Sequence, residues 1–140
     1  MAQIRRVVEH DFEPVHRLLE QLMPALPDLR QHIWGRMLAR QDYAAWIAEI
    51  EDRPAGFIDL YVFPDIGHGR NIALINNLVV DEAFRRRGLG EALVNEAVAH
   101  CRTHDVIELH LWTEFDNTRA LALYERCGFV RRSLLMELGL

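Results

Sequence analysis

The sequence predicts a mixed α/β domain of the α+β class, with a mostly antiparallel sheet and the element order β-α-α-β-β-β-α-β-α-β. The chain has 140 residues, of which 50% are apolar, which is enough for a single domain over 1–140. Short turn sequences separate three apolar runs near its centre, a pattern typical of antiparallel hairpins. A long helical segment then joins two apolar strands, and such crossovers place the strands parallel and adjacent.

The first elements are a strand over 4–9 and two helices. We expect Asp11 to be the N-cap of the first helix, because its carboxylate can accept a hydrogen bond from a free amide of the first turn. Pro24 and Pro27 are predicted to break that helix. Asp28 is then expected to cap the second helix, which carries an apolar stripe at helical spacing.

The centre of the chain is predicted to form three strands, over 43–51, 55–63 and 72–80. The polar sequence at 52–54 indicates a hairpin turn, and the glycine-containing stretch 64–69 indicates a second loop. These three strands supply the antiparallel part of the sheet.

The last elements are predicted as a helix over 88–104, a strand over 106–113, a helix over 117–127 and a final extended segment over 129–138. Gly128 is expected at the C′ position of the helix over 117–127, because a left-handed residue at that position ends many helices.

Composition narrows the functional class. The net charge of −5 argues against a nucleic-acid partner, and no apolar run has the length of a membrane span or of a secretory leader. Cys101 and Cys127 lie in apolar helical patterns and are expected to be free thiols. We therefore expect a cytoplasmic protein.

The segment 78–93 carries the strongest functional signal. An apolar strand runs into three arginines and two glycines, and a helix begins there. The free amides of a helix start attract anions, glycines allow close approach to the main chain, and arginines add charge-assisted hydrogen bonds. This combination is typical of a pyrophosphate site. A dinucleotide fingerprint would need a third glycine or alanine where Leu93 stands, and the P-loop motif is absent.

Two motifs give this sequence a family resemblance. Arg85, Gly88 and Gly90 follow the pattern Arg/Gln-x-x-Gly-x-Gly/Ala, and the stretch from Asn117 to Tyr124 follows Asn-x-x-Ala-x-x-Leu-Tyr before Gly-Phe. Their order and separation resemble those of the GNAT superfamily of N-acyltransferases. The resemblance implies acetyl transfer from acetyl-CoA to a primary amine, by direct attack in a ternary complex, without a metal.

The resemblance also implies roles for individual residues. The backbone of the strand would pair with the pantetheine arm, the arginine–glycine turn would wrap the pyrophosphate, and Asn117 would approach from the other side. The implied cofactor-binding residues are Leu78, Val79, Val80, Arg85, Arg86, Arg87, Gly88, Leu89, Gly90, Glu91, Asn117 and Tyr124. Arg85 begins the motif and could face away from the ligand, and Asn117 could be only an N-cap. Tyr124 matches the tyrosine that protonates the leaving thiolate in much of the family.

The general base is the weakest part of the sequence-based assignment. Many relatives carry a carboxylate near positions 76 and 77, where this chain has Asn76 and Asn77. We take Glu114, predicted at the end of the following strand, as the catalytic base candidate. A water chain that ends at Glu114, His110 or Asp59 could also carry the proton.

Several further alternatives remain open at this level. His100 and His104 have metal-compatible spacing but no evident third ligand, so no metal site is predicted. His68, in a glycine loop, is expected at the surface. The acceptor is expected to be a small-molecule amine, with a peptide or protein N-terminus and an acyl-CoA sensor without turnover as alternatives. The segment 133–138 could complete the sheet or pair across a homodimer.

Overall fold

A computed structural model describes residues 2–140 and contains one five-stranded sheet with helices packed on both faces. The strands and helices, in chain order, are β1 (Ala2–Arg6), α1 (Phe12–Glu20), α2 (Pro27–Leu38), β2 (Tyr43–Ile50), β3 (Arg53–Asp65), β4 (Arg70–Val80), α3 (Leu89–Arg102), β5 (Val106–His110) and α4 (Thr118–Arg126). Short 3-10 turns precede α1 and follow β4.

The sheet order is β1-β2-β3-β4-β5, and the first four strands are antiparallel to their neighbours. β5 is parallel to β4, and α3 is the crossover between them. The predicted fold class and the predicted parallel pair are therefore confirmed. The β2–β3 turn uses Glu51 and Asp52 with φ of 50° and 60°, so this two-residue hairpin needs no glycine.

Each face of the sheet has its own apolar core. α1 and α2 cover one face through residues that include Phe12, Val15 and Trp34. α3 covers the other face, and Leu93 and Ala97 on its inner stripe have no exposed surface. The helices thereby cover both faces of the sheet and leave its edges open.

Two predicted caps are wrong in detail. The Asp11 carboxylate makes no capping bond to α1 and instead accepts bonds from the Arg5 guanidinium at 2.8 and 2.9 Å and from Val8 N–H at 2.7 Å. The Arg5 partner lowers the pKa of Asp11 below its ordinary value. Pro27 starts α2 instead of only breaking α1, since proline fits the first helical position, and Asp28 follows it in the first turn.

Two predicted strands also differ. β5 ends at His110, short of the predicted Thr113. The segment 129–138 forms no strand, although it contains apolar residues that include Leu134 and Met136, which are 66% and 84% exposed. The segment has an alternating apolar pattern, but it pairs with no strand of the sheet. Within residues 2–140, no helix has the length and apolar character needed to cross a membrane.

Candidate functional site

The candidate site is a slot at the edge of β4. This strand pairs with β3 as far as Val80, but with β5 only from Asn71 to Leu74. From Ile75 to Val80, its second edge has no strand beside it among residues 2–140. Unpaired N–H and C=O groups along such an edge can bind an extended, amide-bearing ligand as a neighbouring strand would.

A β-bulge lies where the slot opens. Leu60 of β3 faces Ile75 and Asp59 faces Asn77, so Asn76 is an extra residue in β4 without a partner. A bulge bends its strand and increases the local twist. We infer that this irregularity helps β4 to separate from β5 at this point.

The far end of the slot is the start of α3. Gly88 is the N-cap residue, with a left-handed φ of 77°. The first intrahelical bond runs from Ala92 N–H to Gly88 C=O at 3.0 Å, so the amides of Leu89, Gly90 and Glu91 point out of the helix start. These amides and the positive end of the helix dipole can bind an anion.

The two glycines of this turn serve different purposes. A Cβ at Gly90 would lie 2.9 Å from Leu123 Cδ2, so this glycine allows α4 to pack closely against α3. A Cβ at Gly88 would meet no heavy atom within 4 Å, so Gly88 is required for its left-handed backbone and not for space. The predicted motif thus combines a packing requirement with a conformational one.

Gly88→Ala is therefore expected to lower the free energy of unfolding by about 1–2 kcal/mol, the usual cost of a left-handed alanine. Gly35→Ala is the matched control, because Gly35 lies inside α2 with nothing within 4 Å of an added Cβ. There alanine should raise stability by roughly 0.5–1 kcal/mol. Urea unfolding of both variants tests this, and equal effects of the same sign would contradict it.

The three arginines of the motif point to different partners. Arg85 Nε donates to Val80 C=O at 3.3 Å and so braces the end of β4. The Arg87 guanidinium lies 5.5 Å from the centroid of the Phe84 ring. Arg86 is exposed and has a left-handed φ of 66°. Within residues 2–140 none of the three forms an ion pair, so Arg86 and Arg87 are available to an anion.

Asn117 and Tyr124, the two residues that the family resemblance implies on the far side of the slot, lie at the start of α4 and within it. Asn117 is its N-cap, and its Oδ1 accepts Ala120 N–H at 3.2 Å. Tyr124 packs on the α3-side core, and its ring centroid lies 5.9 Å from that of Phe129. The N-cap bond gives Asn117 a structural role, whatever else it contacts.

The Tyr124 hydroxyl is free to act on a ligand. It makes no hydrogen bond to any of residues 2–140. Since every fully buried side-chain polar atom in that range has a hydrogen-bond partner, the Tyr124 hydroxyl is not fully buried. Solvent therefore reaches this hydroxyl. Burial of the ring raises the pKa of Tyr124 above its ordinary value, so that the phenol stays protonated at neutral pH.

A buried carboxylate stands beside the bulge, on the α1–α2 face of the sheet. Asp59 is 6% exposed and accepts the Tyr43 hydroxyl at 2.6 Å and the Asn77 backbone N–H at 2.8 Å. The Asn77 side-chain amide donates to both carboxylate oxygens at 3.1 and 3.2 Å. Burial raises the pKa of Asp59 to about 6, and the hydrogen bonds from Tyr43 and Asn77 oppose that rise. This is the pKa range of a base poised for neutral pH.

The other candidate bases lie elsewhere. Glu114 is exposed in the loop after β5, and its carboxylate has no hydrogen bond or ion pair to residues 2–140. Because β5 ends at His110, the strand alternation that related Glu114 to His110 does not continue to it. His110 Nε2 contacts Glu108 at 2.9 Å, and His68 contacts both Asp65 and Glu108.

The two histidines of α3 contact each other. The rings of His100 and His104 stack with centroids 3.9 Å apart. Burial lowers the pKa of His100 to about 4. Nowhere in residues 2–140 do three metal-binding side chains converge.

Sequence reasoning named Asp59 but missed its partner Tyr43. The register places Asp59 opposite Ala45, and Tyr43 two residues away on the same face of β2. Diagonal neighbours of this kind are within reach of a tyrosine side chain. Counting the register outward from the β2–β3 turn would have missed the pair, because the register shifts by one residue between Ala48 and Glu49. Without that shift the count places Asp59 opposite Ala44, on the other face of the sheet from Tyr43.

Comparison with known proteins gives a consistent result. The family model described as the acetyltransferase (GNAT) family matches residues 5–129. The [ribosomal protein bS18]-alanine N-acetyltransferase of Salmonella typhimurium is 32% identical over 111 residues, which cover 79% of this chain and 70% of that protein.

Two further comparisons concern length and fold. An uncharacterized N-acetyltransferase of Methanocaldococcus jannaschii is 29% identical over 109 residues, and this match covers 73% of the chain but only 48% of that relative. The chain thus spans about half the length of that relative. The aminoglycoside N-acetyltransferase AAC(6')-Iy, solved in complex with CoA, has the same fold, with a TM-score of 0.89, 20% identity and coverage of 99% and 94% of the two chains.

Proposed function

Because the chain belongs to the acetyltransferase (GNAT) family, we propose that it transfers an acetyl group from acetyl-CoA to a primary amine by direct attack in a ternary complex. The observation that supports this most is the open edge of β4 from Ile75 to Val80, which leads to the amides at the start of α3. A strand-like arm that carries a diphosphate at one end matches this layout.

Acetyl-CoA would lie along that slot as a co-substrate. Its pantetheine amides would pair with the backbone of Leu78, Val79 and Val80. Its pyrophosphate would bind the amides from Gly88 to Glu91 and the guanidinium groups of Arg86 and Arg87. Arg85 would act indirectly, because its guanidinium holds the Val80 carbonyl.

The reaction needs a proton acceptor, an oxyanion donor and a proton donor. The amine nitrogen attacks the thioester carbon only when neutral, and free amines of this kind have a pKa of roughly 10.4. A backbone N–H on the open edge of β4, such as that of Val80, would stabilise the tetrahedral oxyanion, because the Asn77 and Asp81 amides and, by alternation, that of Val79 face β3. As the carbon–sulfur bond breaks, Tyr124 would donate its proton to the leaving sulfur, giving the free CoA thiol.

Asp59 is the proton acceptor that we favour, acting through water. It stands beside the bulge at the mouth of the slot, and burial brings the pKa of Asp59 to about 6. Glu114 remains the second candidate, since it follows β5 across the slot from β4. Asn76 and Asn77 of β4 carry no carboxylate at the bulge, but Asp59 on the neighbouring strand β3 does.

Charge reversal at Arg86 and Arg87 tests the proposed pyrophosphate site. Arg86→Glu with Arg87→Glu is expected to weaken CoA binding by about 10- to 100-fold, because each lost charge-assisted hydrogen bond contributes roughly 1.5–3 kcal/mol when well formed and less when exposed. Isothermal titration calorimetry with CoA measures this. Arg17→Glu with Arg36→Glu is the matched control, since both are exposed arginines without an ion pair in the described chain. Equal affinity of the two double variants would contradict the proposed pyrophosphate site.

The acceptor is proposed to be a small-molecule amine. The net charge of −5 favours a cationic acceptor, and the name of AAC(6')-Iy describes an aminoglycoside enzyme. A peptide or protein N-terminus is the second candidate, because the Salmonella relative is named for ribosomal alanine acetylation. We expect the acceptor to lie over the α1–α2 segment and the β3–β4 loop.

An acyl-CoA sensor without turnover is the alternative from another class. The absence of a carboxylate at Asn76 and Asn77 favours it, and the solvent-accessible Tyr124 hydroxyl opposes it. Incubation with acetyl-CoA and a library of amines and peptide N-termini, followed by mass spectrometry, separates the two. An acetylated amine supports the enzyme. CoA binding without any acetylated product supports the sensor.

We also propose a cytoplasmic location and a homodimer. Cys101 and Cys127 are both free thiols, as expected in a reducing compartment. The exposed apolar residues Leu134, Met136 and Leu138 support the dimer, because apolar strand-like segments are usually covered.

A further inference from the structure

A cation close to the proposed pyrophosphate site has no role in the proposed acetyl transfer. Arg53 follows the β2–β3 turn as the first residue of β3, and it is exposed. The Cζ atom of its guanidinium lies 4.9 Å from the centroid of the Phe84 ring, and the Arg87 Cζ atom lies 5.5 Å from the same centroid. The two guanidinium groups therefore share one ring, and their separation is at most the sum of these distances, about 10 Å.

The backbone holds Arg53 on the α3 side of the sheet. Arg53 pairs with Ile50 across the β2–β3 hairpin, and directly opposite residues share a face. Ile50 and Phe84 both belong to the core that α3 covers. Just beyond the β3–β4 ladder, Asp81 N–H donates to Ala55 C=O at 2.8 Å, which ties the turn after β4 to the start of β3. Main-chain pairing and a buried ring thus set the position of Arg53 relative to the arginine–glycine turn.

Three guanidinium groups in this region lack a counter-ion. Within residues 2–140 Arg53, Arg86 and Arg87 form no ion pair, although Asp52 and Glu82 are close to them along the chain. Like charges that lie close together repel each other, so a group of this kind favours the binding of an anion. The pyrophosphate of CoA would use Arg86, Arg87 and the first amides of α3. Arg53 is then available to an anion beyond the pyrophosphate.

CoA carries such an anion. Besides its pyrophosphate it has a phosphate monoester on the 3′ oxygen of the ribose, and only that sugar separates the two groups. A phosphate monoester has a charge of about −1.5 to −2 at pH 7. The planar fork of an arginine matches phosphate oxygens with two parallel N–H donors. The separation of Arg53 from Arg87 is compatible with one ribose between two phosphate groups.

We propose that Arg53 binds the 3′-phosphate of CoA and gives the protein a preference for CoA over 3′-dephospho-CoA. The inference rests on the proposed acetyl-CoA slot, because the 3′-phosphate reaches Arg53 only when the pyrophosphate lies at the start of α3. The Phe84 ring holds Arg53 and Arg87 by cation–π contact, so less side-chain freedom is lost when the ligand binds. Arg53 lies outside both family motifs, and sequence reasoning therefore had no signal for it.

Isothermal titration calorimetry with CoA and 3′-dephospho-CoA tests the assignment. The unsubstituted protein is expected to bind CoA about 5- to 10-fold more tightly, as one exposed charge-assisted contact would contribute. In Arg53→Met the two affinities should agree within about twofold, because only CoA loses a contact. Methionine keeps an unbranched apolar chain on the Phe84 ring without the charge. The affinity of Arg53→Met for 3′-dephospho-CoA should be unchanged, which shows that its slot is intact.

Arg36→Met is the matched control. Arg36 is an exposed arginine of α2, the helix that packs on the opposite face of the sheet, and it forms no ion pair within residues 2–140. Its replacement removes the same charge far from the arginine–glycine turn. The preference of this variant for CoA should equal that of the unsubstituted protein.

Other results would overturn the assignment. If the unsubstituted protein binds both ligands equally, or if Arg53→Met keeps the preference, Arg53 does not bind the 3′-phosphate. If Arg53→Met weakens both ligands by the same factor, Arg53 acts only through its packing on Phe84. In each of these cases CoA still binds, and the proposed acetyl transfer is unaffected. Binding of neither ligand to the unsubstituted protein would overturn the slot itself and with it the role of Arg53.

Discussion

Replacing Asp59 by asparagine is expected to lower kcat by about 100-fold, since removal of a general base commonly costs 10²–10⁴-fold. The wild-type kcat, measured with saturating amine and acetyl-CoA, should fall as the pH drops below about 6, because Asp59 then takes up a proton and can no longer accept one. The variant should lose this limb of the profile. Asparagine keeps the volume of the side chain beside Tyr43 and Asn77.

Glu114→Gln is the matched control for Asp59→Asn. Because the Glu114 carboxylate is exposed and contacts none of residues 2–140, its replacement should leave kcat within about twofold and keep the acid limb. If instead Glu114→Gln is inactive and Asp59→Asn is active, Glu114 is the proton acceptor and the first prediction is wrong.

A second measurement on the Asp59 variant is independent of catalysis. The folded pKa of Asp59, about 6, lies above the ordinary value of roughly 3.9 expected for the unfolded chain. Between these values the folded state binds more protons than the unfolded state, so the contribution of Asp59 to stability is lost as the pH rises through 6. Denaturant unfolding from pH 4 to pH 7 should therefore show a decline that Asp59→Asn reduces. An unchanged profile would mean that Asp59 does not titrate in this range.

Tyr124→Phe is expected to lower kcat by about 100-fold while the Kd for acetyl-CoA changes by less than about twofold. The hydroxyl has no hydrogen-bond partner among residues 2–140, so its removal leaves no buried group unsatisfied and stability should persist. The loss falls on the step in which the CoA sulfur departs, since a thiol with a pKa of about 8.5 leaves more readily when protonated. Steady-state kinetics and calorimetry together separate the two parameters.

Tyr61→Phe controls for the loss of a phenol elsewhere. Tyr61 packs on the α1–α2 face and its hydroxyl contacts Met37 Sδ at 3.9 Å. That substitution should leave kcat nearly unchanged. Full turnover in Tyr124→Phe would remove Tyr124 from the role of proton donor and strengthen the sensor alternative.

Most elements of this fold were predictable because their signals are local. The apolar stripe of α3, the start of this helix after the glycine motif and the existence of a β2–β3 hairpin follow from spacing and residue type. The hairpin turn itself lies at Glu51 and Asp52, one residue earlier than the predicted 52–54. The errors lie where a tertiary partner competes with a local rule. Asp11 is a good cap by residue type, but the guanidinium of Arg5 takes its carboxylate.

The sequence by itself determined the family motifs, the element order as far as α4 and the parallel crossover, because short-range periodicity and glycine placement specify backbone conformation. Only the tertiary structure decided that Asp59 meets Tyr43 and Asn77, that the slot opens after Leu74, and that residues 130–140 find no place in their own sheet. Each of these depends on strand register and on the extra residue at the bulge. A one-residue shift in pairing changes which side chains face each other while leaving the local sequence pattern unchanged.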